Sequence, residues 1–177
     1  MNLIFNPKTI KAVVGLGNPG DEYARTYHNI GQQFLTHFQN TLLAKDFSIY
    51  KKFSHTKKGR IILAKPETFM NDSGIGLKEV LAYFKLKPEE VLVVHDDADL
   101  PLGSYKLSFG RGSAGHKGVE SVIKHFKTKN FWRARVGIRP DDDKKKKAMD
   151  FVLATIGKKE MKILKKVFSE VENLVTG

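Results

Sequence analysis

The sequence predicts a single α/β domain in which a mixed β-sheet is flanked by helices. Its 177 residues fit one domain, and a hydrophobic content of 41% is enough for one sizeable core. Short apolar runs of strand length alternate along the chain with segments whose apolar residues recur at helical spacing. A strand-turn-strand pattern also interrupts this alternation. Strands joined by helices, together with a hairpin, indicate a mixed sheet.

In the first half of the chain, the elements begin with a buried strand. The apolar run 10–16 ends in glycines, which is typical of a strand that enters a loop. From Ile30 onward, apolar residues recur at helical spacing and predict a helix. The stretches 51–55 and 59–65 flank a Lys-Lys-Gly turn and predict a hairpin, whose second strand stops at Pro66.

The second half continues the alternation and closes with an amphipathic helix. Residues 139–147 are polar and rich in lysine, and we expect them to form a mobile linker before that last helix. The predicted elements are a helix over 77–84, strands over 91–94 and 103–109, a glycine-rich loop over 110–118, a helix over 119–126, a strand over 132–138 and a helix over 161–174.

The charge balance suggests a polyanionic partner. Thirty-one Lys and Arg against nineteen Asp and Glu give a net charge of +12, which suits binding to RNA or DNA. Because many lysines occur in runs, a well-solvated surface is the alternative. The absence of cysteine excludes disulfides and thiolate chemistry. No apolar run is long enough to span a membrane, and no signal peptide is evident, so we expect a cytoplasmic protein.

Polar residues follow three of the predicted strands. Asn18 comes after the first strand, Asn71 shortly after the strand that stops at Pro66, and Asp96 after the strand 91–94. In open α/β sheets, ligands bind beyond the carboxyl ends of the strands, so we expect these side chains to share one crevice. His28 lies on the connection after the first strand and is within reach of the same crevice.

These residue types suit hydrolysis of an activated acyl bond, such as an ester, without a metal. His28 with an aspartate can act as a general base on water, and two asparagine amides can donate to a developing oxyanion. Two other interpretations stay open at this point. One is that His28 is a structural side chain. The other is that the carboxylates of Asp96, Asp97 and Asp99 are solvated loop charges or ligands of a divalent cation.

The segment Gly-Leu-Gly-Asn-Pro-Gly at 15–20 also matches the glycine pattern of dinucleotide-binding proteins. That interpretation requires an acidic residue about 20 residues on, at the end of a second strand, to bind a ribose. Position 40 is Asn40 in a helix-like stretch, and Asp46 follows no apolar strand. The pattern alone is therefore a weak indication of a nucleotide cofactor.

Several blocks together resemble bacterial-type peptidyl-tRNA hydrolases, in the family's order and over most of residues 11–138. Each block alone is weak, whereas the set is specific. The blocks are Val-Val-Gly-Leu-Gly-Asn-Pro-Gly at 13–20, Glu-Tyr-Ala at 22–24, Thr-Tyr-His-Asn-Ile-Gly at 26–31, Lys-Pro-Glu-Thr-Phe-Met-Asn-Asp-Ser-Gly at 65–74, His-Asp-Asp-Ala-Asp-Leu-Pro-Leu-Gly at 95–103, Gly-His at 115–116 with Gly118, and Arg-Ala-Arg-Val-Gly-Ile at 133–138.

The resemblance implies a monomeric α/β enzyme that needs no cofactor and hydrolyses the ester between a peptide and the 3′ ribose of tRNA. By position, His28 would be the base and Asp96 its supporting carboxylate, with Asn18 helping to distinguish blocked from free aminoacyl groups. Contacts to the peptidyl-tRNA would come from Tyr23, Phe69 and Asn71. The phosphates of the tRNA would bind to Lys106 and Arg135.

The sequence departs from the family pattern at two positions beside these blocks. Tyr27 stands where the family usually has arginine before the histidine, and Lys117 stands where asparagine usually follows Gly-His. We expect Lys117 to replace a neutral amide contact to the 3′ end of the tRNA with a charged one. A non-enzymatic RNA-binding relative is the rival function. It has no chemical need for Asn18, His28, Asn71 and Asp96 together.

Overall fold

The computed structural model describes residues 4–140, 149 and 151–177, and this part of the chain forms one mixed sheet between two pairs of helices. Most of the predicted linker, residues 141–147, lies outside the described residues. The strands are β1 (Ala12–Gly15), β2 (Ser48–Tyr50), β3 (Phe53–Lys58), β4 (Ile61–Pro66), β5 (Val91–Pro101), β6 (Tyr105–Phe109) and β7 (Trp132–Arg139), and the helices are α1 (Ile30–Leu42), α2 (Ser73–Phe84), α3 (Lys117–Phe126) and α4 (Lys158–Thr176).

The sheet has a parallel centre and antiparallel edges. Its strand order is β2-β3-β4-β1-β5-β7-β6. Strands β4, β1, β5 and β7 run parallel, while β3 pairs antiparallel with β4 and β6 pairs antiparallel with β7. The predicted mixed sheet is therefore confirmed. The carboxyl ends of its four parallel strands lie together at one end of the sheet.

Side-chain alternation along the buried strands divides the core into two layers. In β1, Val13 packs into the layer that contains Phe34 of α1 and Phe168 of α4. Its neighbour Val14 packs into the opposite layer, which contains Leu77 of α2 and other residues of α2 and α3. Successive strand residues point to opposite faces, so a strand that is buried on both sides reads as a continuous apolar run.

Helix α4 is amphipathic and covers one face of the sheet. Its inner positions, among them Leu164, Phe168 and Val171, are buried, and its outer face carries lysines. None of the helices in the described residues combines the length and the apolar character needed to cross a membrane.

Three of the differences from the sequence prediction, at β2, β5 and α3, have a clear physical reason. The edge strand β2 has three exposed residues, so burial does not impose an apolar pattern on it. Strand β5 continues through polar residues beyond Val94, because β7 pairs with it in register there. Helix α3 begins at Lys117, inside the predicted loop, because the side chain of His116 caps it by accepting hydrogen bonds from two backbone N–H groups.

Candidate active site

The polar residues singled out in the sequence gather at the edge where the parallel strands end. Asn18 lies just beyond β1, and Asp96 lies within β5, where it is opposite Val136 of β7. His28 belongs to a short 3-10 turn that leads into α1. The structure thus brings His28 and Asp96, which are 68 residues apart, into direct contact.

The imidazole of His28 is oriented by the carboxylate of Asp96. His28 Nδ1 lies 3.0 Å from Asp96 Oδ1 and 3.1 Å from Oδ2. An ionised carboxylate only accepts hydrogen bonds, so Nδ1 carries the proton and donates. The other ring nitrogen, Nε2, is then left as an acceptor. Because His28 lines a cavity of about 310 Å³, this acceptor is available to a water or a substrate.

A second histidine, His116, contacts the same carboxylate. Its Nε2 lies 2.9 Å from Asp96 Oδ1, and its Nδ1 accepts from the backbone N–H groups of Gly118 at 3.1 Å and Val119 at 3.3 Å. Backbone N–H groups only donate, so Nδ1 is unprotonated and Nε2–H donates to Asp96. The start of α3 therefore fixes the tautomer of His116.

Asp96 is held as an anion at the centre of this arrangement. Only 2% of the residue is exposed. Burial by itself raises the pKa of Asp96, but attraction to His116 and the hydrogen bonds from His116 and His28 outweigh burial and hold the pKa well below its ordinary 3.8. A buried carboxylate that stays charged in this way can stabilise a positive charge on a neighbouring imidazole.

A third histidine, His95, precedes Asp96 in the chain and contacts its backbone rather than its carboxylate. Its Nδ1 donates to the backbone carbonyl of Asp96 at 2.7 Å, and its ring packs on that of His116 at 4.7 Å between centroids. Within the described residues, its Nε2 is the one buried side-chain nitrogen or oxygen without a hydrogen-bond partner. Burial is the main cause that holds the pKa of His95 well below 6.5, so the ring is neutral.

Asn18 is held so that its amide nitrogen stays available. Asn29 clamps the backbone of Asn18 from both sides, accepting from its N–H at 2.9 Å and donating to its carbonyl at 2.8 Å. Asn18 Oδ1 accepts from the N–H of Met70 at 2.7 Å. With the oxygen occupied, the Nδ2 donors have no partner among the described residues and can serve a ligand.

A short antiparallel pairing between residues 25–28 and 152–156, which we call the ribbon, positions His28 from outside the sheet. The N–H of His28 donates to the carbonyl of Val152 at 2.8 Å, and the N–H of Tyr27 donates to the carbonyl of Ala154 at 3.2 Å. Thr26 and Thr155 form a β-bridge next to them. The segment before α4 therefore closes one side of the cavity, where Val152 and Met149 are lining residues.

Three residues expected to contact substrate lie close to one another on two segments of the chain. Tyr23 and Phe69 pack edge to face at 6.3 Å between ring centroids, and 54% of Phe69 is exposed. Asn71 is exposed and follows Met70, the residue whose backbone N–H donates to Asn18. In the described part of the chain, none of these three side chains is hydrogen-bonded to His28 or Asp96, and none lines the cavity. We call these three residues the rim.

A basic groove of about 860 Å³ adjoins the cavity, and Ala114 lines both. Lys106 on β6 and Arg135 on β7 stand opposite each other and line this groove. Lys106 is exposed, whereas Arg135 Nε pairs with Asp97 Oδ2 at 2.6 Å. The structure therefore distinguishes the two basic residues, because only Arg135 neutralises a buried carboxylate.

Arg133 is a further basic residue of the groove. It is almost fully buried and donates from Nη2 to the carbonyls of Arg111 at 3.1 Å and Gly112 at 2.9 Å. Burial, reinforced by repulsion from Arg135, lowers the pKa of Arg133 to about 10, which leaves it charged at neutral pH. It fixes the loop that forms one wall of the groove.

Lys117 lies on the first turn of α3 rather than on a loop. It lines the cavity, yet 73% of its side chain is exposed, and its Nζ lies 3.3 Å from Glu120 Oε2. An exposed pair of this kind contributes little to stability. The amine is therefore free to exchange Glu120 for an anionic ligand at small cost.

The geometry fits neither a metal centre nor a dinucleotide site. His28, Asp96 and His116 are close enough to suggest a cation site. However, two backbone N–H groups occupy His116 Nδ1, which leaves the proton on Nε2, the nitrogen a metal would need. The glycines at 15–20 are followed by a loop, since α1 begins only at Ile30, so they do not form the tight turn that leads directly from a strand into a helix in dinucleotide-binding proteins.

Sequence inspection missed His116 and His95 as members of the site. In the sequence, His116 is only part of a Gly-His block, and its partner Asp96 is 20 residues away. The signal that would have identified it is its position before the helical pattern that starts at Val119. A histidine at a helix N-cap has one nitrogen occupied by the backbone and the other free for a neighbouring strand.

Comparison with known proteins gives a consistent result. The family model described as peptidyl-tRNA hydrolase matches residues 12–176. The peptidyl-tRNA hydrolase of Aquifex aeolicus is 44% identical over 167 residues, which cover 91% of this chain and 85% of that protein. That of Persephonella marina is 41% identical over 170 residues, covering 94% of this chain and 89% of that protein.

Solved structures agree. A crystal structure of peptidyl-tRNA hydrolase from Acinetobacter baumannii superposes with a TM-score of 0.81 at 30% sequence identity, covering 96% of this chain and 90% of that one. Similarity over nearly the full length of both chains includes the strands and turns that carry His28 and Asp96.

Proposed function

The chain belongs to the peptidyl-tRNA hydrolase family, and from that premise we propose that it hydrolyses the ester between a peptidyl group and the 3′ ribose of tRNA, with His28 as the general base. The observation that carries the proposal is the 3.0 Å contact between His28 Nδ1 and the buried carboxylate of Asp96 beside an open cavity. This contact leaves Nε2 free to take a proton from water.

The proposed reaction begins when His28 Nε2 accepts a proton from a water molecule in the cavity. The water oxygen attacks the ester carbonyl carbon, and the carbonyl oxygen becomes an oxyanion. When the intermediate collapses, the bond to the ribose oxygen breaks, and the proton on Nε2 passes to that leaving oxygen. Asp96 stabilises the positive charge that His28 carries between the two proton transfers.

His116 acts in this scheme by keeping Asp96 in place. Its Nε2–H donates to Oδ1 of Asp96, and its other nitrogen is tied to the start of α3. The carboxylate is thereby connected to a rigid element as well as to His28. Preorganised polar groups of this kind need no rearrangement at the moment of reaction.

Asn18 is the proposed donor to the substrate. Its Nδ2 has no partner in the described residues, while its Oδ1 is held by the N–H of Met70. An amide donor can bind the carbonyl of a blocked aminoacyl group, whereas a free α-amino group offers donors and a positive charge instead. We assign to Asn18 the distinction between peptidyl-tRNA and aminoacyl-tRNA.

The rim and the groove supply the remaining substrate contacts in this proposal. Tyr23, Phe69 and Asn71 contact the peptidyl-tRNA near its ester. The phosphates of the tRNA bind in the groove at Lys106 and Arg135, and Lys117 reaches the 3′ end. Aromatic side chains beside unpaired nucleotides and basic residues beside phosphates are the usual division of labour in RNA recognition.

The test is release of an N-acyl-amino acid from N-acyl-aminoacyl-tRNA, with unblocked aminoacyl-tRNA as the control substrate. Loss of a general base costs about 10²–10⁴ in kcat, so we expect that reduction for His28→Ala. Asp96→Asn should cost less, because the imidazole remains but is poorly oriented. KM should change little in both variants.

The matched control is Asp99→Asn, which removes a carboxylate from the same strand at a side chain that is 72% exposed. It should keep nearly full activity. Normal turnover by folded His28→Ala protein would disprove the proposed base. An inactive wild-type protein that still binds tRNA would instead favour the non-enzymatic RNA-binding function.

A further inference from the structure

A second basic cluster lies outside the groove, around the first two turns of α4. Arg25 and three lysines of this helix, Lys158, Lys162 and Lys165, line a shallow depression of about 250 Å³. The lysines are spaced four and three residues apart, so they share one face of the helix. All four basic residues are exposed. We call this set the α4 patch.

No residue in the described part of the chain neutralises the charges of the α4 patch. Within the described residues, none of the four side chains forms an ion pair or a hydrogen bond with another group. Glu160 is the nearest acid on the helix, and it reaches back toward Gly157 without pairing with any of the four. Like charges gathered without a counter-charge attract anions to the surface.

The α4 patch is directly connected to the candidate active site. The carbonyl of Arg25 accepts from the N–H of Ile156 at 2.8 Å, in the same ribbon that holds the backbone of His28 against Val152. His28 is the third residue after Arg25, so their Cα atoms are at most about 10 Å apart. The patch therefore begins on the ribbon side of the cavity, whereas the groove of Lys106 adjoins the cavity at Ala114.

We propose that the α4 patch binds backbone phosphates of the tRNA, as a second contact surface separate from the groove. The inference rests on the proposed function and extends it to a specified surface. A substrate whose ester lies in the cavity carries its phosphodiester backbone close to that cavity. Phosphates are the only groups of the proposed substrate that match several exposed cations without needing specific geometry.

The test uses a double substitution, Lys162→Gln with Lys165→Gln, which removes two charges and keeps side-chain length and helix propensity close to those of lysine. With full-length N-acyl-aminoacyl-tRNA at low salt, kcat/KM should fall on the order of tenfold, and the slope of log binding constant against log salt should flatten by roughly two units. With a minimal N-acyl-aminoacyl-adenosine substrate, kcat/KM should not change.

The matched control is Lys45→Gln with Lys87→Gln, which makes the same change in net charge at exposed lysines. These residues precede β2 and β5 at the sheet edge opposite the active site. The control should behave like wild type with both substrates. Equal losses in the two double variants would show a general charge effect and overturn the proposal.

The outcomes separate this proposal from the proposed function. If wild-type protein hydrolyses neither substrate, the proposed function fails. If it hydrolyses both and the α4 variant matches wild type on full-length tRNA, only the α4 patch is disproved as a tRNA surface. Binding of wild type to anionic lipid vesicles that the variant loses, with no loss of tRNA affinity, would also disprove it by giving the patch to a membrane surface.

Discussion

At the scale of single residues, Asp96 organises the contacts of the candidate site. Its two oxygens accept from His28 and His116, so one buried charge orients two imidazoles. The resemblance between sequences assigned roles to His28 and Asp96, and spacing alone could not join them because they are 68 residues apart. The contribution of His116 depends on the start of α3, which no local pattern around Asp96 encodes.

The neutral His95 makes stability depend on pH. Its folded-state pKa lies well below 6.5, so between these two values the unfolded chain binds a proton that the folded chain does not. The contribution of His95 to the free energy of unfolding is then fully present above about pH 6.5. Below that pH it falls by about 1.4 kcal/mol per pH unit for one such group. The lowered pKa of Asp96 also makes the free energy of unfolding fall as pH decreases, but only below about pH 3.8.

We expect His95→Asn to remove that dependence. The asparagine amide can still donate to the carbonyl of Asp96, while the titrating Nε2 is lost. Urea unfolding of wild type and variant at several pH values between 5 and 7.5 measures the difference, in which other groups cancel. Unfolding free energies that stay parallel over this range would contradict the assignment of a neutral, proton-excluding His95.

At the scale of elements, the contact between β1 and α1 fixes where His28 stands. Gly31 begins the contact, since a Cβ at this position would overlap the carbonyl oxygen of Val94 and the backbone of Leu16. Gly15 approaches α1 as closely, because its Cβ would overlap the carbonyl of Gly31. The helix can lie against the strands only because both positions lack side chains.

Gly31→Ala should therefore displace the start of α1 and move His28, three residues earlier. We expect a loss of about 1–3 kcal/mol in the free energy of unfolding, the usual range for overpacking, together with a fall in kcat. Gly112→Ala is the control, since a Cβ there meets nothing within 4 Å. Chemical denaturation and the hydrolysis assay measure both effects. A Gly31→Ala protein as stable and active as the control would show that the contact tolerates a methyl group.

The same elements show how far local pattern predicts this fold. The apolar periods located the four helices and the central strands correctly, because those segments bury a face. Pattern missed β2, whose three residues are all exposed, and it ended β5 at Val94. The polar continuation of β5 is a strand only because β7 pairs with it, and it is this continuation that carries Asp96.

At the scale of the whole molecule, the net charge of +12 is distributed over distinct surfaces. The groove with Lys106 adjoins the cavity at one side, and the α4 patch begins at the ribbon on another. Long-range attraction draws a polyanion toward both surfaces, whereas the catalytic centre itself carries a buried anion at Asp96. In the proposed function, the charge therefore serves binding, and the chemistry depends on local contacts.

The last prediction joins the two basic surfaces through one substrate. Lys106→Gln removes an exposed charge from the groove. Arg135→Gln would in addition leave Asp97 buried without its partner, so Lys106 is the cleaner probe. We expect Lys106→Gln to weaken full-length tRNA binding and to flatten the salt slope by roughly one unit, with normal hydrolysis of the minimal adenosine substrate.

Combined with Lys162→Gln and Lys165→Gln, the Lys106 substitution tests whether both surfaces hold the same tRNA at once. If they do, and if the contacts are independent, the losses in binding free energy add and the salt slope flattens by about three units in the triple variant. If the two surfaces are alternative sites for one tRNA, each single-surface variant retains binding at the other. The triple variant then loses far more than the sum of the separate losses. Fluorescence titration of labelled tRNA at several salt concentrations, for wild type, both single-surface variants and the triple variant, distinguishes the two arrangements.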